Sequence, residues 1–142
     1  MKAGEIWCHE AYYLRQGCPQ RKYIIILGDR SNNHNPLITR LTSRPNGLPS
    51  EPRCHNGNPR SGFFVGPIGG VLPLPTWVVF QDIDHLDDSE YALVKSGTIH
   101  PTELTLGTSL FCRLLRCVQQ NDDITNRQYL HIGDTLEQLQ CS

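Results

Sequence analysis

The stretch LITRLTSRPNG, residues 37–47, carries the side chains with the clearest chemical potential in this sequence. Successive side chains of an extended chain point to opposite faces, so Arg40, Thr42 and Arg44 share one face. Two guanidiniums beside a hydroxyl suit an anion, because arginine holds phosphate oxygens through two parallel hydrogen bonds. The pattern therefore predicts either a floor that binds an anion or an ordinary solvated strand surface.

Further cations lie close to this stretch in the expected fold. Arg21 and Lys22 precede the apolar run YIIIL, and the proline-rich segment 44–61 contains Arg53 and Arg60. Together these cations could line a concave basic surface that binds a phosphodiester. The alternative is a set of scattered, solvated arginines, since charged residues are common on surfaces.

Other polar clusters carry weaker signatures of a metal site. The segment QDIDHLDD, residues 81–88, offers carboxylates for a divalent cation but lacks the spacing and the glycine of an EF-hand loop. Two Cys-His pairs, at 8–9 and 54–55, lack zinc-finger spacing. We expect local turn or surface roles for three histidines that stand alone in the sequence: His34, His100 and His131. The sequence predicts no metal site and no cofactor, and it has no P-loop, GxSxG or GxGxxG motif.

Composition bounds the class of protein. A chain of 142 residues suits one domain with a real core. Its net charge of −1 gives no overall attraction for nucleic acid or membrane, so any binding site for a polyanion must be local. The first residues lack the apolar region of a signal peptide, and we expect a cytoplasmic protein. Six cysteines without a CxxC spacing are then expected to be free thiols.

Short apolar runs separated by glycine and proline predict a chain built mainly of strands. The expected strands are 4–8, 22–28, 37–43, 62–66, 76–83 and 91–99. Polar segments at 9–20 and 44–61 predict loops. We interpret the class as mainly β (α+β): a small, strongly bent antiparallel barrel over residues 1–120, covered by one late helix.

That helix is expected to begin at Pro101, where a proline suits the first helical position, with Gly107 weakening its middle. Apolar residues recur further on at three- and four-residue spacing, which predicts a buried stripe: Leu110, Phe111, Leu114, Leu115 and Val118. Residues 121–142 are polar and acidic, and we expect a tail with at most a short helix or an added strand.

Taken in order, several short motifs resemble the MazF/PemK family of toxin endoribonucleases from bacterial toxin-antitoxin systems. KAGEIW is similar to the opening GEIW or GDIW strand of that family, QRKYIIILGD to its second strand, and ITRLTSR to its third. VKSGTIHPTELTLG is similar to the segment in which a proline and an acid open the family's helix. The resemblance covers residues 2–118, and its weight lies in the collinear order of the motifs.

The resemblance implies an SH3-like barrel, commonly a homodimer, with an acidic antitoxin segment as its protein partner. It also implies cleavage of single-stranded RNA without a metal, by attack of the 2′-hydroxyl to give a 2′,3′-cyclic phosphate and a 5′-hydroxyl. By motif match, Arg21 would stabilise the phosphorane, Thr42 would bind or orient the phosphate, and Asp82 is the nearest candidate for the family's acidic residue. With the basic residues above, the expected RNA-binding set is Lys22, Arg40, Ser43, Arg44, Arg53 and Arg60.

The sequence also departs from the family pattern. Lys22 stands where the family usually has proline, and Gln81 stands where some members have the aspartate, with Asp82 one residue later. Side chains one residue apart on a strand point to opposite faces, so the general base is left open. The alternative function is a non-catalytic SH3-like barrel that binds nucleic acid or a protein segment, and a third is metal-assisted chemistry at 82–88.

Overall fold

The computed structural model describes residues 1–12 and 20–141. Its strands are β1 (Glu5–Tyr12), β2 (Gln20–Gly28), β3 (Leu37–Thr42), β4 (Cys54–His55), β5 (Gly62–Gly66), β6 (Thr76–Val79), β7 (Asp84–His85) and β8 (Ile99–Thr105). Its helices are α1 (Asp88–Ser96), α2 (Thr108–Gln119) and α3 (Asn126–Gln138). Strands with added helices confirm the α+β class.

The strands form one antiparallel sheet in the order β4-β5-β6-β3-β2-β1-β8, with β7 paired to β3. β2 lies near the centre because its YIIIL run supplies β-branched residues to both faces, and Ile24 to Leu27 are fully buried. Among the described residues the sheet is open, since β4 and β8 each have a single strand partner. The expected closed barrel is therefore not formed by these pairings.

Each face of the sheet has its own apolar cluster. On one face α2 packs through the predicted stripe, with Phe111, Leu114, Leu115 and Val118 all buried. On the other face Ile24 and Ile26 of β2 pack with residues that include Leu93 and Val94 of α1. Helices on both faces protect the central strands from water.

The segment 91–105 corrects two sequence expectations. Residues 91–96, expected as a strand, belong to α1, which begins where the Asp87 carboxylate accepts a hydrogen bond from the Glu90 amide. α1 ends at Gly97, whose φ of 84° suits glycine. Residues 101–105, expected to open the helix, belong to the strand β8 instead. Pro101 is tolerated there because β8 is an edge strand.

The long helix therefore starts later than expected, at Thr108. Gly107 is its N-cap residue and not a weak point in its middle. The loop expected over residues 9–20 begins later than predicted, because β1 continues to Tyr12. Residues 13–19, which the same prediction covers, lie outside the described residues.

Helix α3 occupies most of the segment expected to be a polar tail. Thr125 and Gln128 form a capping box at its start, each side chain bonding the other residue's amide. Ile132 is fully buried, and the Thr135 hydroxyl donates to the Leu27 carbonyl at 3.0 Å. The segment is thus a structural layer against β2 and α2.

The cysteine expectation was wrong for four residues. Cys54 is bonded to Cys117, and Cys112 is bonded to Cys141. Both pairs are distant in sequence, so only the fold brings their sulfurs together. Cys8 is a buried free thiol, and Cys18 lies outside the described residues. None of the helices described is long and apolar enough to cross a bilayer.

Candidate nucleic-acid interface

A groove of about 600 Å³ lies where β2 begins and β3 ends. Antiparallel pairing of these strands, with Ile24 opposite Arg40, brings the two ends together. The groove collects six of the residues expected from the sequence to bind or cleave RNA: Arg21, Lys22, Arg40, Thr42, Ser43 and Arg44. Val71 and Leu74, about half exposed, form an apolar rim.

Three cations crowd one side of this groove. Burial lowers the pKa of Lys22, and the positive charges of Arg40 and Arg44 lower it further. Neighbouring like charges repel one another, and among these three cations only Arg40 has a carboxylate partner that the structure records, Asp82. An anion with several oxygens, such as a phosphodiester, would relieve that repulsion.

Thr42 is fixed at the edge of this cluster. Its hydroxyl oxygen accepts a hydrogen bond from the Arg44 amide at 3.1 Å, which is the local bond that terminates β3 and turns the chain. Because Thr42 lies two residues after Arg40, both point to the same face of the strand. Thr42 therefore shares a face of β3 with Arg40, in the groove that Lys22 and Arg44 also line.

Arg21 precedes Lys22 in β2, and successive side chains of a strand point to opposite faces of the sheet. Arg21 therefore reaches the groove from the face opposite to that of Lys22. Its Nε donates to the Glu10 carboxylate at 2.9 Å, and His100 Nε2 lies 3.0 Å from the other oxygen of Glu10. Hydrogen bonds from Arg21 and His100 lower the pKa of Glu10 to about 2. Glu10 thus remains ionised at neutral pH and holds both partners.

Sequence reasoning missed Glu10 and assigned His100 a solitary role. The two meet because β1 pairs with β8, placing Cys8 opposite His100, and Glu10 lies two residues along on the same face. The contact depends on residues 99–105 forming a strand. No local pattern marks that strand, because the alternate residues Ile99, Pro101 and Glu103 share no polarity and differ in burial.

Asp82 does not line this groove. It follows β6 in a turn, and its carboxylate accepts a hydrogen bond from Arg40 Nε at 2.8 Å. Arg60 lies with Asp82 in a second groove of about 670 Å³, which shares Arg40 with the first. Arg53 is held elsewhere, donating to the Phe64 carbonyl at 2.9 Å with its guanidinium over the Phe64 ring.

The carboxylates of 82–88 have structural partners. Asp82 binds Arg40, Asp87 caps α1, and Asp88 accepts from Asn35. Cys54 is committed to a disulfide, so the two Cys-His pairs do not combine into a zinc site. Among the described residues, neither the carboxylates of 82–88 nor the two Cys-His pairs together form a group of possible metal ligands.

Two histidines expected to stand alone instead meet a third. His34, His85 and His131 bring their ring nitrogens within 4.8 Å of one another. Burial and the neighbouring His131 and His34 lower the pKa of His85 to about 4, and burial also lowers the pKa of His131. These lowered pKa values favour the neutral form of His85 and His131.

Comparison with models of protein families, with curated proteins and with solved structures gave no match for this chain.

Proposed function

We propose that this protein binds single-stranded RNA in the basic groove and cleaves it without a metal. The observation that carries the proposal is that Lys22, Arg40, Thr42 and Arg44 line one groove, in which the two arginines lie near enough to lower the pKa of Lys22. Such a site suits a phosphodiester because it offers several positive charges and a short hydroxyl donor along one groove. The collinear MazF/PemK-like motifs supply the reaction class.

In the proposed reaction the 2′-hydroxyl loses its proton to a base, and its oxygen forms a bond to the adjacent phosphorus. The bond from phosphorus to the 5′-oxygen breaks, and that oxygen takes a proton. Arg21 and Lys22 stabilise the added negative charge on the phosphorane, and Thr42 orients the phosphate. The products are a 2′,3′-cyclic phosphate and a 5′-hydroxyl.

His100 does not line the groove, but Glu10 holds it beside Arg21, which does, and we assign the proton transfers to His100. An imidazole exchanges protons near neutral pH far more readily than a guanidinium. Asp82, which the sequence suggested as the acidic catalytic residue, forms an ion pair with Arg40 and can hold that side chain in position. Its role is therefore to orient a binding residue.

We extend the proposal to the wider setting of the resemblance. The domain acts as an SH3-like toxin in the cytoplasm, forms a homodimer, and is inhibited by an acidic antitoxin segment that covers the basic groove.

A second candidate is a non-catalytic protein that binds RNA in the same groove. It is favoured by the engagement of Arg21 with Glu10, since a guanidinium already paired with a carboxylate offers less charge to a phosphorane.

The two functions separate in a cleavage assay. The purified protein is incubated with a long single-stranded RNA in EDTA, and 5′-hydroxyl ends are mapped. Circular dichroism in the same buffer verifies that the protein stays folded. We expect discrete ends with wild type and with Arg113→Ala, an exposed arginine on α2 outside the groove, and their loss with Arg21→Ala. Full-length RNA that is bound but intact with wild type would overturn the enzymatic proposal.

A further inference from the structure

The three-histidine cluster joins three segments that are distant in sequence. His34 follows β2, His85 belongs to β7, and His131 lies in the middle of α3. His85 Nε2 is 2.9 Å from His131 Nδ1, and the ring centroids of His34 and His131 are 3.8 Å apart. The cluster lies at the opposite end of β2 from the basic groove, about 20 Å along the strand from Lys22.

The central ring of this cluster, His131, is tightly positioned. Its Nε2 donates to the Asp29 carbonyl at 2.8 Å, since a carbonyl can only accept. The proton is therefore on Nε2, and the Nδ1 lone pair points towards His85. A histidine that binds a metal characteristically donates its second nitrogen to a backbone carbonyl in this way.

Gly28 makes room for the same ring. A Cβ built at Gly28 would lie 2.5 Å from His131 Nε2, so any side chain there would displace the imidazole. The absence of a side chain at Gly28, the last residue of β2, therefore allows the His131 ring to keep its orientation.

The distances suit a zinc site after small movements. Two nitrogens bound to tetrahedral Zn²⁺ at 2.0–2.1 Å lie about 3.3 Å apart, which is close to the 2.9 Å between His85 and His131. His34 must rotate out of its stack on His131 to direct a nitrogen to the same point, and it is half-buried in the segment between β2 and β3. A water molecule would complete the tetrahedral set of ligands.

We propose that His34, His85 and His131 bind a Zn²⁺ ion that fastens α3 to the sheet. On binding, His85 loses its Nε2 proton to solvent and takes a proton on Nδ1, which frees the Nε2 lone pair. The His85 and His131 rings then turn so that the two lone pairs, which face each other across the hydrogen bond, converge on the cation. Because His34 and His85 reach solvent, the ion can enter without unfolding the chain. The site is separate from the RNA groove, so its failure would leave the proposed cleavage untouched.

The test is a zinc titration of the full chain, first stripped with a chelator and kept free of reductant so that the disulfide cysteines add no thiolates. Isothermal titration calorimetry with ZnCl₂ is expected to give a stoichiometry of one ion per chain. Bound zinc is also expected to raise the midpoint temperature of thermal unfolding. We expect His34→Ala and His85→Ala each to weaken binding by at least about tenfold. The visible spectrum of the Co²⁺ form reports tetrahedral coordination.

The matched control is His100→Ala, which removes a histidine from the other group of possible ligands, Cys8, Glu10 and His100. It should bind zinc as wild type does. The proposal would be overturned if wild type showed no saturable binding at one ion per chain. It would also be overturned if His34→Ala and His85→Ala bound zinc as tightly as wild type, or if His100→Ala lost binding.

Discussion

At the scale of single residues, Glu10 connects two groups that the proposed reaction needs. One carboxylate oxygen binds Arg21 and the other lies beside His100. The sequence identified the cations of the groove because their strand alternation is local. It did not identify Glu10, because cross-strand neighbours depend on which strands pair.

Glu10 also predicts a dependence of stability on pH. Its pKa is lowered from 4.5 to about 2 in the folded protein, so the ionised form is favoured by folding. The contribution of ionised Glu10 to the free energy of unfolding is present above pH 4.5 and is lost as the pH falls towards 2. In urea unfolding, the difference between wild type and Glu10→Gln should therefore shrink between pH 5 and pH 2.5. The exposed Glu137→Gln is the control, and a difference that is independent of pH would contradict the assignment.

At the scale of elements, sequence reasoning located β2, β3, β5 and the buried stripe of α2 well. It failed at 91–105, where VKSG resembles the end of a strand. The Asp87 cap and the packing of the partly buried Leu93 and Val94 against the cluster that contains Ile24 and Ile26 favour a helix. Helix α3 was missed because its buried face includes polar residues, whose hydrogen bonds are made only in the fold: Gln128, His131 and Thr135.

The capping box of α3 gives a second prediction. Thr125→Ala removes the oxygen that accepts from the Gln128 amide, and we expect a loss of about 1 kcal/mol in the free energy of unfolding. Thr108→Ala, an exposed threonine in the first turn of α2, should cost under about 0.5 kcal/mol. Equal effects of the two substitutions in chemical denaturation would show that the cap does not stabilise α3.

At the scale of the whole molecule, charge is distributed unevenly on a nearly neutral chain. Lys22, Arg40 and Arg44 meet in one groove, although the net charge is only −1. The disulfides and the three-histidine cluster escaped sequence reasoning because each joins segments that only the fold brings together.

The most direct measurement of the central claim is the salt dependence of binding to a labelled single-stranded RNA, followed by fluorescence anisotropy. Removing one phosphate contact should reduce the slope of log K against log salt by about 0.7. We expect Lys22→Gln and Arg44→Gln each to weaken binding and to lower the slope by this amount, while Arg113→Gln, with the same loss of charge outside the groove, leaves both unchanged. Equal binding and equal slopes in all three variants would contradict an RNA site in the groove.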